Sequence, residues 1–438
     1  MYKKSFYNMI VEELEDGKIL MFNTLNNSMG VMDLECKELY QNIEKINNVN
    51  ELGSSENKNL NILLENGFIV ENDFDEFKYY KLIRENSRFS SESLSLTIAT
   101  TLDCNMACPY CYEDRKPIYM DTNIADKILS FTKNKIEQLN TKGLYITWYG
   151  GEPLLNFEII EYLSKNFIEI CTDKNIIYDA GIITNGVLLT KDIAQKLNKY
   201  KVSNCQITID GPKEINDSRR LLLDGASSFD IISKNLDEIS NLINVNIRCN
   251  IDKFNIHSIN YLNDFFTNKK VEIHFAPIDK GTDACSVDLG NCLTEEEFRE
   301  IEMNKINIEY KNNKDIANFL TPPLKPLGCS SLGNNSYVIN PDGMLLKCWN
   351  YVGDKSKSIG DVSKGDILNT ENVKWLTLDV DKKCIKCKLL PICSSGCPDI
   401  IIREGMARCS HRQLNLKEKI KLVYKKFIYE KENACINA

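Results

Sequence analysis

The sequence predicts an α/β protein whose core is six strand–helix units, forming a parallel sheet that is open or curled into part of a barrel. Three observations lead there. Apolar runs of strand length occur at Ser93–Thr100, Leu144–Tyr149, Ala180–Thr184, Asn204–Ile209, Val245–Ile251 and Val271–Ala276. Amphipathic helical patterns fill the gaps, at Thr122–Leu139, Phe157–Cys171, Lys191–Lys199 and Ile231–Leu242. Turn residues follow several of the runs directly, and parallel α/β folds gather their chemistry beyond the carboxyl ends of their strands.

Four regions follow one another along the 438 residues. Residues 1–85 read as a small strand-and-helix module. Phe6–Leu14 and Lys18–Thr24 form a hairpin pattern around Asp16-Gly17, a strong turn signal. Asp33 is placed to cap a helix through Leu34, Leu39, Tyr40 and Ile43, and a second helix at Asn57–Asn66 leads to Gly67 and a short strand, Phe68–Val70. Residues 92–315 hold the six strand–helix units. Residues 316–415 are irregular, punctuated by Pro322, Pro323, Pro326, Gly328, Gly333, Pro341, Gly343, Pro391, Gly396 and Pro398, and metal ligation is one way such a segment is held together. Residues 416–438 end the chain in an amphipathic helix with Leu416, Ile420, Val423 and Phe427 on one face and Lys417, Lys421 and Lys425 outside.

Composition narrows the function classes. Apolar residues at 43% and charged residues at 26% belong to an ordinary globular protein. A net charge of -8 argues against a nucleic-acid binder working through a general basic surface, and leaves peptide binding open. The N-terminus runs into Glu12, Glu13, Glu15 and Asp16 without a long apolar stretch, so neither a signal peptide nor a membrane span is expected. Seventeen cysteines without an export signal point to a reducing, oxygen-poor cytoplasm where thiolates bind metal.

The most informative segment is Cys104-Asn-Met-Ala-Cys108-Pro-Tyr-Cys111, directly after the first strand. Three thiolates on one short loop can hold three corners of a cubane iron–sulfur cluster, whereas cysteine ligation normally uses four. The fourth iron is then left for a small chelator such as the amino and carboxylate groups of S-adenosylmethionine. A zinc knuckle or redox pair is the alternative, but zinc wants a fourth ligand and the chain has only three histidines, His257, His274 and His411.

Other strand ends carry matching chemistry. The second gives Tyr149-Gly150-Gly151-Glu152-Pro153, with glycines for close backbone approach and a carboxylate suited to a positive amino group. The third ends at Thr184-Asn185-Gly186, the fourth at Thr208-Ile209-Asp210-Gly211-Pro212 followed by Arg219 and Arg220, and the fifth carries Arg248-Cys249-Asn250. An arginine there can take a carboxylate bidentately.

These motifs resemble those of the radical S-adenosylmethionine superfamily, whose members have a partial (β/α)6 TIM-like barrel. The resemblance implies that Cys104, Cys108 and Cys111 hold a 4Fe-4S cluster chelated by S-adenosylmethionine. Tyr110 matches the aromatic position that contacts the cofactor, and Gly150, Gly151, Glu152, Asn185, Thr208, Arg220 and Asn250 are the implied cofactor contacts. Gly151 would face the methionine amino group, with Thr208 and Arg220 near the carboxylate or ribose.

The tail continues the match. Cys329, Gly343 and Cys348 read Cys-x13-Gly-x4-Cys, then Cys384, Cys387, Cys393 and Cys397 read Cys-x2-Cys-x5-Cys-x3-Cys, and Cys409 closes the set. This looks like the seven-cysteine SPASM extension with two auxiliary 4Fe-4S clusters, three clusters in all. The resemblance gives Cys384, Cys387, Cys393 and Cys409 to one and Cys329, Cys348 and Cys397 to the other. The latter's fourth ligand stays open, with Cys285 and Cys292 upstream. Structural zinc is the alternative here as well. Cys36, Cys171 and Cys205 read as small core residues, Cys249 as core or cavity lining, and Cys435 as part of a frayed terminus.

Within SPASM proteins the match is to maturases of ribosomally made peptides, in which a winged-helix-like module such as residues 1–85 holds the leader of the precursor by strand addition. The resemblance implies a 5′-deoxyadenosyl radical that abstracts hydrogen from the peptide and leads to an intramolecular crosslink, a Cys thioether by preference and a carbon–carbon bond next. A flavodoxin or ferredoxin would donate electrons. Sulfatase-type formylglycine maturation is the competing reaction, but those enzymes place a basic Asp directly after the cysteine corresponding to Cys348, where this chain has Trp349 and Asn350. A non-catalytic cluster-bearing scaffold is the alternative outside enzymology.

Overall fold

The computed structural model describes residues 1–46, 48, 51–266, 269–278, 289–311, 324, 326–409 and 415–436. They form two compact units. One joins Met1–Arg88, Glu295–Ser330 and Leu378–Ala438, and the other joins Phe89–Thr294 and Ser331–Thr377.

In the first unit, β1 (Tyr2–Lys4), β2 (Asn8–Glu13), β3 (Ile19–Asn23), β4 (Met29–Met32) and β5 (Ile69–Glu71) make two small sheets, β2-β3-β4 antiparallel and β1 against β5. Gly17 takes a φ of 78° at the expected turn. Asp33 accepts a hydrogen bond from the Cys36 amide at 2.9 Å and caps the Leu34–Asn42 helix as its sequence requires. Strand β3 is buried along its whole length, and its period of two serves two cores. Ile19 and Met21 pack with Leu39, Leu63, Phe68 and Ile69, while Leu20 and Phe22 pack with Val11, Ile392, Leu416 and Ile420. Each such side chain contributes roughly 1.5–3 kcal/mol by leaving water.

A helix at Glu76–Arg88 was not foreseen, because its buried stripe is Glu76, Tyr80, Arg84 and Arg88. Four-residue spacing puts them on one face, but three of the four are charged. Their partners explain the burial. Glu76 accepts from the Ser5 hydroxyl and from the Phe6 amide at 2.8 Å. Arg84 donates to the Leu378 carbonyl at 3.0 Å, Arg88 donates to the same oxygen, and Glu85 bridges both guanidinium groups. Residues 1–88 are thereby fastened to the start of the tail cysteine segment. The Leu416–Ile436 helix buries Leu416, Ile420 and Val423 as expected. Phe427, the fourth member of that stripe, is instead 57% exposed.

The second unit is a ten-stranded sheet among the described residues. Its strands are β6 (Ser93–Ala99), β7 (Gly143–Tyr149), β8 (Ile177–Thr184), β9 (Val202–Thr208), β10 (Asn244–Ile251), β11 (Val271–Pro277), β12 (Ser336–Ile339), β13 (Met344–Leu346), β14 (Gly360–Asp361) and β15 (Gly365–Asp366). Their order is β11-β10-β9-β8-β7-β6-β12-β13-β14-β15. The six expected strands are consecutive parallel neighbours. Part of the irregular tail is a continuation of this sheet, since β12 pairs parallel with β6 and β13 to β15 follow antiparallel. The helix expected at Ile231–Leu242 runs from Ser228 to Ile239, because the Ser227 hydroxyl accepts from the Asp230 amide at 3.1 Å and starts it three residues early. Cys36, Cys171, Cys205 and Cys249 are buried, and Cys285 and His411 lie outside the described residues. Among the described residues no helix is long and apolar enough to cross a membrane.

Candidate active site

The pairing of β6 with β7 continues past both strand ends. The Thr100 amide donates to the Tyr149 carbonyl at 3.1 Å, Gly151 to Thr101 at 3.1 Å, and Glu152 to Asp103 at 2.8 Å, which carries the seam to the first cysteine of the trio. Only glycine fits this seam. A Cβ on Gly150, whose φ is 124°, would stand 2.3 Å from the Thr101 carbonyl oxygen, and one on Gly151 would stand 2.2 Å from that of Asp103. Glu152 is fully buried, and its carboxylate accepts from the Leu154 amide at 3.0 Å, the Thr184 hydroxyl at 2.7 Å and the Asn185 amide at 2.8 Å. What the structure gives Glu152 is a staple between the ends of β7 and β8. Burial raises its carboxyl above the usual range, and these donors pull it back in part.

Asn185, so fixed, turns its side-chain amide to the Asn105 oxygen at 2.6 Å and the Cys104 sulfur at 3.8 Å. Burial pushes the Cys104 thiol up to about 12, eased by the Met106 amide, with Glu152, Cys108 and Cys111 adding to the rise. The Cys111 thiol is pushed up to about 11, again by burial first. The three sulfurs thus lie close enough to act on one another. Among the described residues no three His, Cys, Asp or Glu converge as the ligands of a single metal ion do. A cubane sets each thiolate on its own iron and needs no such convergence, and its positive irons favour the thiolate that burial disfavours.

Across the loop, a buried polar network gathers the other expected residues. The Tyr110 hydroxyl donates to Asp210 and accepts from Arg220 at 2.8 Å. Asp210, wholly buried, also accepts from the Asn250 amide at 2.9 Å. Arg219 lies 5.1 Å over the Tyr110 ring and donates to Asp252 at 2.8 Å. Thr208, at the end of β9, is in register with Arg248, whose Nε donates to the Asn250 side chain at 2.8 Å. Burial would lower the Arg220 guanidinium, but Tyr110, Cys108 and Asp210 together raise it. Its Nε is buried without a partner among the described residues, a donor that the carboxylate of S-adenosylmethionine would satisfy. Arg220→Lys is therefore expected to weaken S-adenosylmethionine binding by roughly tenfold or more, about 1.4 kcal/mol upward, read by anaerobic titration calorimetry on the reconstituted protein.

Sequence reasoning did not single out Asp210 or Asp252 as site residues, although Asp210-Gly211-Pro212 marked the strand end, and it named Arg219 only beside Arg220 as a possible carboxylate partner. It also missed an aromatic group. Tyr149 stacks on Trp349 with ring centroids 5.6 Å apart and 24° between planes, and its hydroxyl meets that of Tyr112. Cys111 and Cys348 both act on the Tyr149 phenol, which burial raises above its usual value.

In the other unit, Cys387 and Cys393 lie near enough to act on Cys384, and Cys397 is near Cys329. Cys348 belongs to the sheet unit and is buried, Cys409 is exposed, and Cys292 is half-buried. Ser394, Ser395 and Gly396 take φ values of 53°, 67° and 78°, a left-handed turn between Cys393 and Cys397. A Cβ on Gly396 would meet the Arg408 carbonyl oxygen at 2.4 Å. Two serines in that region cost roughly 1–3 kcal/mol each, and the turn connects Cys393 to Cys397. Tyr7 and Tyr80 pack against Cys384 together with Val380 and Leu390. The Tyr7 phenol is raised by burial first, then by Glu76, Tyr80, Asp75 and Cys387.

A strand-end cysteine trio, a glycine seam and a buried arginine donor thus gather beyond the ends of β6, β7 and β9. Residues 98–265 match the Radical SAM superfamily. The protein is an enzyme that uses a 4Fe-4S cluster and S-adenosylmethionine. It is similar to the radical SAM cyclopropyl synthase TigE of Paramaledivibacter caminithermalis, 25% identical over 87% of both chains. It is also similar to a cysteine-type anaerobic sulfatase-maturating enzyme of Clostridium novyi, 28% identical over 70% of this chain and 88% of that one. In fold it matches the crystal structure of Streptococcus suis SuiB bound to precursor peptide SuiA, with a TM-score of 0.56, 17% identity, and coverage of 94% of this chain and all of that one.

Proposed function

We propose that the protein is a peptide maturase that installs an intramolecular crosslink, a Cys thioether by preference, in a ribosomally made precursor. When bound, the first cluster and S-adenosylmethionine supply a hydrogen-abstracting 5′-deoxyadenosyl radical, and two auxiliary clusters in a SPASM-type tail supply an acceptor for the electron released as the bond closes. Cys104, Cys108 and Cys111 would hold the first cluster, and Cys384, Cys387, Cys393 and Cys409 one of the others, with Cys329, Cys348 and Cys397 for the last. The observation that carries this reading is the gathering of tail cysteines within one unit, where the Cys387 amide donates to the Cys384 carbonyl at 3.0 Å, Cys393 lies near Cys384, and Cys397 lies near Cys329. Around the first site, Arg220 would take the cofactor carboxylate, Tyr110 and Asn250 would line it, and Glu152 would hold the β7 loop still.

Closure of a thioether removes one hydrogen atom from carbon, one proton from the thiol and one electron. A carbon–carbon closure is the second reading, supported by likeness to a cyclopropyl synthase over most of both chains. Sulfatase-type maturation is disfavoured because Trp349, stacked on Tyr149, stands where a base is needed.

Anaerobic incubation with S-adenosylmethionine, dithionite and the precursor encoded beside the gene tests the reading. A thioether shows as loss of two hydrogens with no alkylatable thiol, and a carbon–carbon bond as the same loss with the thiol intact. A carbonyl that reacts with hydrazide, or no 5′-deoxyadenosine at all, contradicts it.

The leader of the precursor would add as a strand at β4, which among the described residues pairs only with β3. Val31, on that strand, is exposed. Val31→Asp is expected to weaken precursor binding about tenfold, roughly 1.4 kcal/mol, while peptide-independent 5′-deoxyadenosine formation is unchanged. A flavodoxin or ferredoxin donor and a cytoplasmic setting belong to the same proposal.

A further inference from the structure

We propose that the Tyr7 hydroxyl donates a hydrogen bond to a sulfur of the auxiliary cluster at Cys384, Cys387 and Cys393, so that the N-terminal module sets that cluster's reduction potential. The inference rests on the cluster assignment proposed above.

Tyr7 is 1% exposed, and its hydroxyl is buried with no hydrogen-bond partner among the described residues. Buried polar groups are almost always paired, so an orphaned phenol in a packed core requires an explanation. Its surroundings supply one. Tyr7 packs with Tyr80, Val380 and Leu390, with Cys384 against the same group. Cys387 is near enough to act on the phenol. Ile385 and Lys386, the residues between those two cysteines, share a cavity wall with Tyr7. The Tyr7 backbone is fixed as well, because the Thr24 amide donates to the Tyr7 carbonyl at 3.1 Å and the Tyr7 amide donates to the Ser5 hydroxyl at 3.2 Å. Tyr80 differs, since its hydroxyl reaches the Pro326 carbonyl at 3.5 Å.

The sulfurs of a cubane accept hydrogen bonds, and such bonds are among the levers that set its potential. A donor stabilises the reduced cluster more than the oxidised one, because reduction adds negative charge. Removing the hydroxyl while keeping the ring leaves packing almost unchanged and deletes only that preference. If Tyr7 served packing alone, phenylalanine would be neutral or stabilising, with no effect on the potential.

The test uses the full-length chain carrying Cys104→Ala and Cys348→Ala, reconstituted anaerobically so that the Cys384 site holds the remaining cluster, and follows its reduction by EPR. Adding Tyr7→Phe is expected to make reduction about tenfold less favourable, a shift of about 59 mV to more negative potential for one electron. Tyr80→Phe is expected to move it less. An unchanged midpoint in Tyr7→Phe overturns the proposal. Independently of any change at residue 7, a Tyr80→Phe chain grown on ring-deuterated tyrosine should show tyrosine deuterium coupled to the reduced cluster. Absence of that coupling overturns the proposal too. If the doubly substituted chain holds no reducible cluster, or one that survives Cys384→Ala, the cluster assignment has failed and the donor falls with it, an outcome distinct from a cluster whose potential ignores Tyr7.

Discussion

Gly151→Ala is expected to abolish S-adenosylmethionine cleavage while the chain still folds. The added Cβ would lie 2.2 Å from the Asp103 carbonyl oxygen, 2.7 Å from its carbon and 3.1 Å from the Leu102 oxygen. All three are backbone atoms of the loop that leads into Cys104, and none can rotate aside as a flexible side chain would. Relief requires opening the seam in which Gly151 donates to Thr101 and Glu152 to Asp103. Overpacking of this kind costs roughly 1–3 kcal/mol of stability. The larger effect falls on function, because displacing a cluster loop by an ångström or so can cost about 100-fold in rate. The measurements are thermal unfolding, iron and sulfide content, and 5′-deoxyadenosine formation. Gly53→Ala is the control, since its Cβ would meet only the Glu56 side chain at 3.5 Å and should change none of the three.

Cys104→Ala is expected to reduce 5′-deoxyadenosine formation to background and to lower iron content by about four per chain, one cubane. Cys104 is the most tightly placed of the trio, with its sulfur receiving the Met106 amide at 3.4 Å and facing Asn185. The cluster at Cys384, Cys387 and Cys393 should persist in this variant, because those residues belong to the other compact unit. Loss of all iron would tie the three sites into one assembly and count against that independence.

The parts of this protein legible in its sequence are those written in local spacing. The cysteine trio, the Gly150–Glu152 turn and the apolar runs of β6 to β11 need only neighbours along the chain, and the structure has those strands within a few residues of their expected bounds. Capped helix starts were legible where one residue carries the signal, as Asp33 does, and were misplaced where a capping serine hid in a run, as Ser227 does.

What stayed hidden depends on partners distant in sequence. The Glu76–Arg88 helix buries charge rather than hydrocarbon, and its partners Ser5 and Leu378 stand at opposite ends of the chain. Apolar periodicity cannot report such a face. Strand β12 is four residues long, and its pairing with β6 spans more than two hundred positions. Glu152 read as a free carboxylate for a ligand, but three donors from β8 and its own turn surround it. Tyr7 carries no signal of its own beside Cys384 until the chain is folded.

In the proposed assignment the cysteine trio leaves one iron open to S-adenosylmethionine. The most direct measurement is the EPR spectrum of the anaerobically reduced, reconstituted protein before and after S-adenosylmethionine is added. A reduced 4Fe-4S signal is expected whose g-values change on addition and that disappears in Cys104→Ala. A trio-dependent signal indifferent to the cofactor, or zinc bound in place of iron, would contradict it.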